Sequence, residues 1–150
     1  MTAHDSPPST SRIAVLPLGA HEQHGPHLPL ETDAIIAQGV ADRVRATLPP
    51  DLHVQFLPVE PVGYSIEHSD VSGTRSLNHG EAVEQWDGIG EQVARGGVRR
   101  FVMLNAHGGN SPLMTIVATE LRVRLGMLAV ATSWTRFGYP EGLVSEAERA

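Results

Sequence analysis

Four short apolar runs, each separated from the next by a stretch of helical periodicity, leave this chain little choice of architecture. The runs are "IAVLPLG" at 13–19, "LHVQFLPV" at 52–59, "RRFVMLN" at 99–105 and "MLAVATSW" at 127–134, each short enough to be a strand. Between the first two, Ile35, Ile36, Val40, Val44 and Leu48 recur at helical spacing and stop at Pro49-Pro50, as a helix ended by proline does. Between the second and third, Asn78 with Glu81 predicts a capping box, and Val83, Trp86, Ile89 and Val93 form an apolar stripe that ends at Gly96-Gly97. Ser111 and Pro112 read as the cap and first-turn proline of a third helix, through Leu113, Ile116, Val117, Leu121 and Leu125 to Gly126. Strands alternating with helices predict an α/β fold, a mainly parallel sheet with helices on both faces.

The length of 150 residues fits one domain. "MTAHDSPPSTSR", residues 1–12, reads as a disordered tail without the apolar region of a signal peptide, and 13–150 as the α/β domain. No apolar stretch is long enough to span a membrane, so a cytoplasmic protein is expected. A net charge of −6 argues against nucleic acid, which calls for a basic face. With no cysteine, neither a disulfide nor a thiolate site is available. Any metal must be held by His, Asp or Glu.

The stretch "GAHEQHGPHLPLETD", 19–33, follows the first predicted strand and holds three of the chain's eight histidines. In an open α/β sheet, sites gather beyond the carboxyl ends of the strands. Two other polar loops leave the same edge: the one carrying Glu67, His68 and Asp70, and the glycine turn "NAHGGN" around His107. Glu22 and His24 are two apart, so in extended backbone they point the same way while Gln23 points elsewhere. Pro26 and Pro29 stiffen the loop. Asp33 stands at the helix entrance, where its carboxylate could cap the helix or bind a metal. Two imidazoles and two carboxylates suit Zn²⁺ or Mn²⁺ better than a soft metal. His21 and His27 read as supporting or surface residues, and His4, His53 and His79 as structural or solvated.

These residues carry a resemblance. "LGAHEQHGPHLPLETD" is similar to the N-terminal signature of the creatininase (creatinine amidohydrolase) family, and "SGTRSL" and "NAHGGN" resemble its second and third blocks in order and spacing. The resemblance implies an α/β/α sandwich, usually oligomeric, that binds two divalent ions (Zn²⁺ or Mn²⁺, with Fe²⁺ admissible) and opens cyclic or compact amides. It implies Glu22, His24 and His107 as metal ligands and Asp33 as the carboxylate bridging both ions. Three departures stand beside it. Gly109 occupies the position where creatininase itself places a ligating Glu. Val71-Ser72-Gly73-Thr74 replaces the usual Phe-Pro-Gly-Thr. The family's later block, His-x-Gly-Glu/Asp followed by Glu-Thr, does not occur, so the domain is expected to be incomplete at its C-terminus and the second ion site with it.

The first reading is therefore a metal-dependent amidohydrolase acting on a small-molecule amide, a C–N bond other than a peptide bond, with His68 as the candidate for substrate contact or proton transfer. A homo-oligomer without nucleic-acid or membrane partners is expected. The alternative is a truncated, catalytically silent member that folds or assembles without turnover. A dimetal phosphoesterase ranks third, because Arg75 is the only basic residue in these loops.

Overall fold

The computed structural model describes residues 11–143 and 145–149; residues 1–10, which hold most of the expected tail, lie outside it. The chain runs β1 (Ile13–Leu18), α1 (Thr32–Thr47), β2 (Val54–Phe56), α2 (His79–Arg95), β3 (Arg100–Asn105), α3 (Ser111–Leu125), β4 (Leu128–Ser133) and a terminal turn of helix, α4 (Glu146–Arg149). Short 3-10 turns occupy Ile66–His68 and Gly108–Asn110. All four strands are parallel, in the order β2-β1-β3-β4. None of the described helices is long and apolar enough to cross a membrane.

The order has a consequence. From β1 the chain crosses through α1 to β2 on one side, then returns through α2 to β3 on the other. The connections therefore part between β1 and β3, and side chains leaving the carboxyl ends of those two strands share a crevice. Along β1, Ala14, Leu16 and Leu18 face one core with Trp86, Phe101, Met103, Val117 and Leu121. The alternation of a strand turns Val15 and Pro17 to the other face, the side from which α1 brings buried Ala37 and Ala41.

Both hydrogen bonds of the Asn78–Glu81 capping box are present, and Trp86 is fully buried. Gly126 closes α3 in the left-handed conformation, φ 62°. Three expectations need correction. The stripe in α1 is only partly packed: Asp33, Ala37 and Ala41 are the buried residues, Ile36 and Val40 are half-buried, and Ile35 is 59% exposed and Val44 37%. The cause is close approach, because a Cβ on Gly19 would stand 2.7 Å from Ala34 Cα, so only small residues fit on the inner face of α1. Ser111 does not cap α3 but is its first residue, and the Asn110 side chain before it makes no cap bond. The second strand is also shorter than its apolar run. Beyond Phe56 the pairing continues irregularly, through Leu57 N–H to Val15 O and Glu60 N–H to Pro17 O, past Pro58, which has no N–H to give.

Candidate metal centre

The loop after β1 is closed by Glu22 N–H donating to Leu30 O at 3.0 Å. Extended backbone here buries Glu22, leaves Gln23 exposed and brings His24 back inward. Asp33 then enters on the first turn of α1. It is buried, and the cap position, Glu31, makes no side-chain cap bond. The carboxylate of Asp33 is turned into the crevice instead, where His107, leaving β3, meets it.

Both imidazoles are tethered through one nitrogen. His24 Nδ1 lies 3.0 Å from Glu22 O, and His107 Nε2 lies 2.9 Å from Tyr64 O. A carbonyl accepts only from an N–H, so each ring is left with its other nitrogen facing carboxylates. His24 Nε2 is 3.1 Å from Asp33 Oδ1, and His107 Nδ1 is 3.2 Å from both Asp33 Oδ2 and Glu22 Oε1. Each free nitrogen must then either carry a second proton or offer its lone pair to a cation. Burial of the His107 ring acts to lower its pKa. The Asp33 contact, the charge of Glu22 and the Tyr64 carbonyl outweigh it, so the net shift is upward.

The framework around these side chains is polar and buried. Asn110, fully buried, donates to Gly19 O and to Asn105 Oδ1 and accepts from Tyr64 N–H, which ties the loops after β1, β2 and β3 together. Asn105 Oδ1 also accepts from His107 N–H, and its amide donates to His107 O. Gly63 has to be glycine, since a Cβ there would run into the Asn110 amide. Ser65, also fully buried, donates its hydroxyl to Glu22 Oε2, while its own N–H donates to Ser76 Oγ. The long loop is thereby pinned at both ends, and its Val71–Thr74 turn passes through Gly73 at φ +91°.

Glu22, His24, Asp33 and His107 are thus brought together. Glu67 and His68 stand at the rim, with Glu67 Oε1 3.6 Å from His107 Nε2 and His68 Nε2 3.9 Å from Glu22 Oε2. His27, His53, His79 and Asp70 are exposed and away from this cluster. His21 is half-buried beside it, 3.7 Å from Glu31. Sequence reasoning missed Ser65, Asn105 and Asn110, although the two asparagines bracketing "AHGG" were a signal that this turn is held by side-chain amides.

The donor set fits a divalent cation. One ligand atom each from Glu22, His24 and Asp33 lie within 4.8 Å of one another. Asp33 Oδ2, although buried, is satisfied by no hydrogen bond, a cost that a cation would remove. Zinc and manganese accept this nitrogen and oxygen mixture.

Comparison with known proteins agrees with this chemistry. The sequence model of Creatininase, creatinine amidohydrolase, matches residues 2–150. The mycofactocin precursor peptide peptidase of Mycobacterium tuberculosis is 39% identical over 125 residues, covering 77% of this chain and 48% of the relative. A 2-amino-5-formylamino-6-ribosylaminopyrimidin-4(3H)-one 5'-monophosphate deformylase of Methanobrevibacter smithii is 29% identical over 156 residues, covering 94% and 65%. A solved manganese creatininase superposes with a TM-score of 0.74 at 27% identity, covering 90% of this chain and 59% of its own. The chain spans about half the length of the first relatives it matches.

Proposed function

Since this chain belongs to the creatininase (creatinine amidohydrolase) family, we propose that it serves metal-dependent hydrolysis of an amide C–N bond. Glu22, His24, Asp33 and His107 would hold the cation. The observation that carries the reading is the pair of tethered imidazoles, each with its second nitrogen turned onto buried carboxylates. A bound divalent cation would supply Lewis-acid chemistry, lowering the pKa of water and polarising a carbonyl.

The chain's own residues do the rest. Asp33 presents its two oxygens to two different rings, the arrangement expected of a carboxylate shared between two cation positions. Ser65 fixes the Glu22 carboxylate, and Asn105 and Asn110 hold the His107 turn against the end of β1. Burial of Glu22, Asp33 and His107 keeps bulk water from screening the charges. His68, partly exposed at the rim with Nε2 3.9 Å from Glu22 Oε2, would accept or return a proton there in this reading.

The relatives' names include a peptidase, a deformylase and an amidohydrolase. The reaction they have in common is cleavage of an amide-type C–N bond, so the proposed substrate class is a compact amide, cyclic or open. The test is to strip the purified chain with chelator, reload it with Zn²⁺ or Mn²⁺, and measure ions bound and hydrolysis of a panel of creatinine, hydantoin, N-formyl amines and short peptides. Metal-restored turnover is expected. Ion binding without turnover on any of them would favour the silent alternative, and the absence of ion binding would end the metal reading.

A further inference from the structure

At the amino end of the sheet, away from the candidate metal centre, a cavity of about 370 Å³ lies between β2 and the C-terminal half of α2. Leu57, Ile89 and Val93 make its apolar wall, and Arg12, Gln55 and Gln92 supply its polar groups. Alternation sets Arg12 on the same face of β1 as Ala14, and Gln55 stands directly opposite Ala14 in β2. Ala14 belongs to the core, so Gln55 puts an amide on the core-facing side of the sheet, where an apolar residue is expected. We propose that this cavity binds a small carboxylate with an apolar body, the carboxylate on Arg12 and the body against Leu57, Ile89 and Val93.

The guanidinium selects an anion. Arg12 Nε is buried and hydrogen-bonds to nothing, and among the described residues no Asp or Glu lines the cavity. A desolvated N–H of a permanent cation is costly without an acceptor. A carboxylate removes that cost by taking two parallel bonds from the fork of Nε and one Nη. A cap on the end of α2 does not account for the arginine, because the carbonyls there already have partners. Gln92 O accepts from Gly96 N–H, Ala94 O from Gly97 N–H and Val93 O from Val98 N–H. One guanidinium beside two neutral amides matches a single negative charge, whereas a phosphate monoester brings about two. The volume falls within the range of small-ligand pockets, about 300–1,000 Å³.

The test is calorimetric titration of the metal-free 150-residue chain with benzoate and hexanoate, beside neutral benzamide and hexanol and inorganic phosphate. With no metal present, the outcome is independent of the proposed hydrolysis. Each carboxylate is expected to bind at one equivalent with a Kd below about 1 mM. Arg12→Gln should weaken binding by about tenfold or more, and Arg12→Lys by less, since it keeps the charge and loses the fork. Gln92→Trp, which fills the cavity from an exposed helix position, should abolish it. The assignment is overturned by no saturable binding of either carboxylate, by wild-type affinity in Arg12→Gln, or by benzamide binding as well as benzoate. Phosphate binding more tightly than benzoate would overturn it as well, by making the ligand a bare oxyanion.

Discussion

Helices α1 and α2 are of similar length and both begin near the carboxyl edge of the sheet, yet they are held by different forces. Helix α2 buries Ala82, Trp86, Gly90 and Ala94, starts in a full capping box and lies so close to α3 that a Cβ on Gly90 would meet Leu121. Helix α1 buries Asp33, Ala37 and Ala41, has no side-chain cap and leaves Ile35 in solvent. Packing places α2. What places α1 is the close approach at Gly19 and the need to aim one carboxylate at the crevice. The difference separates a helix held by core packing and a full cap from one that carries a proposed metal ligand, Asp33, into the crevice.

That division can be broken most forcefully at Trp86. Replacing a fully buried tryptophan by alanine removes its contacts and leaves a cavity, at a cost of about 3–5 kcal/mol. Urea unfolding of Trp86→Ala should show this loss, while the fraction that remains folded binds its first ion with wild-type affinity. A parallel fall in ion affinity would mean that the two faces are coupled. Asp33→Ala should behave in the opposite way. Ion affinity should fall by about 100-fold or more, roughly 2.7 kcal/mol, while the metal-free chain changes far less in stability than Trp86→Ala, because a buried carboxylate oxygen without a hydrogen bond is lost together with the Asp33 contacts to His24 and His107. His27→Ala, in the same loop but exposed, should cost about tenfold at most. Calorimetric titration of both variants decides it, and equal losses would sink the ligand assignment.

A smaller effect follows from His107, whose pKa is raised in the fold. In the metal-free chain the protonated ring favours the folded state. That contribution is complete below the unfolded value, about 6.5, and is lost as pH rises through the higher folded value. A cation competes for the same Nδ1, so ion affinity should rise over that window, by about tenfold per pH unit below the folded pKa, then level off. Melting of the metal-free chain and ion affinity measured from pH 6 to 9 should therefore trend in opposite directions. An affinity independent of pH would remove His107 from the ligands.

The same contrast explains what could be read from the sequence. Glu22, His24, Asp33 and His107 were legible because local spacing and strand ends fix where they point. Ser65 was not, since Glu22 lies 43 residues away in the chain; of Asn110, only the pairing with Asn105 five residues earlier leaves a local signal, because its bonds to Tyr64 and Gly19 reach 46 and 91 residues. The strands and helices were legible from period, run length and their proline, glycine and capping signals, although β2 is shorter than its apolar run. The inner face of α1 was not, because periodicity weighs apolar side chains, and here the contact at Gly19 admits only small ones. The cap of α3 was misplaced for a related reason: Asn110 has the right chemistry for a cap, but its side chain is engaged by Tyr64 and Gly19.

The smallest expected effect gives the finest test of how α1 is held. If the stripe of Ile35, Ile36, Val40 and Val44 were the packed face, Ile35→Ser would remove buried hydrocarbon and install a polar group in a core, at a cost of about 2 kcal/mol or more. In the structure Ile35 is 59% exposed, so the change should alter stability by no more than about 0.5 kcal/mol and leave ion affinity untouched. Ala37→Leu makes the complementary measurement, because Ala37 is 1% exposed and faces the sheet where the helix approaches it. Added methylenes there must push α1 outward, at about 1–3 kcal/mol, and Asp33, one turn earlier on the same face, moves with the helix. Ala37→Leu should therefore weaken ion binding as well as stability, while Ile35→Ser changes neither. The reverse result would mean that α1 is rotated from the orientation described, and with it the carboxylate on which the centre depends.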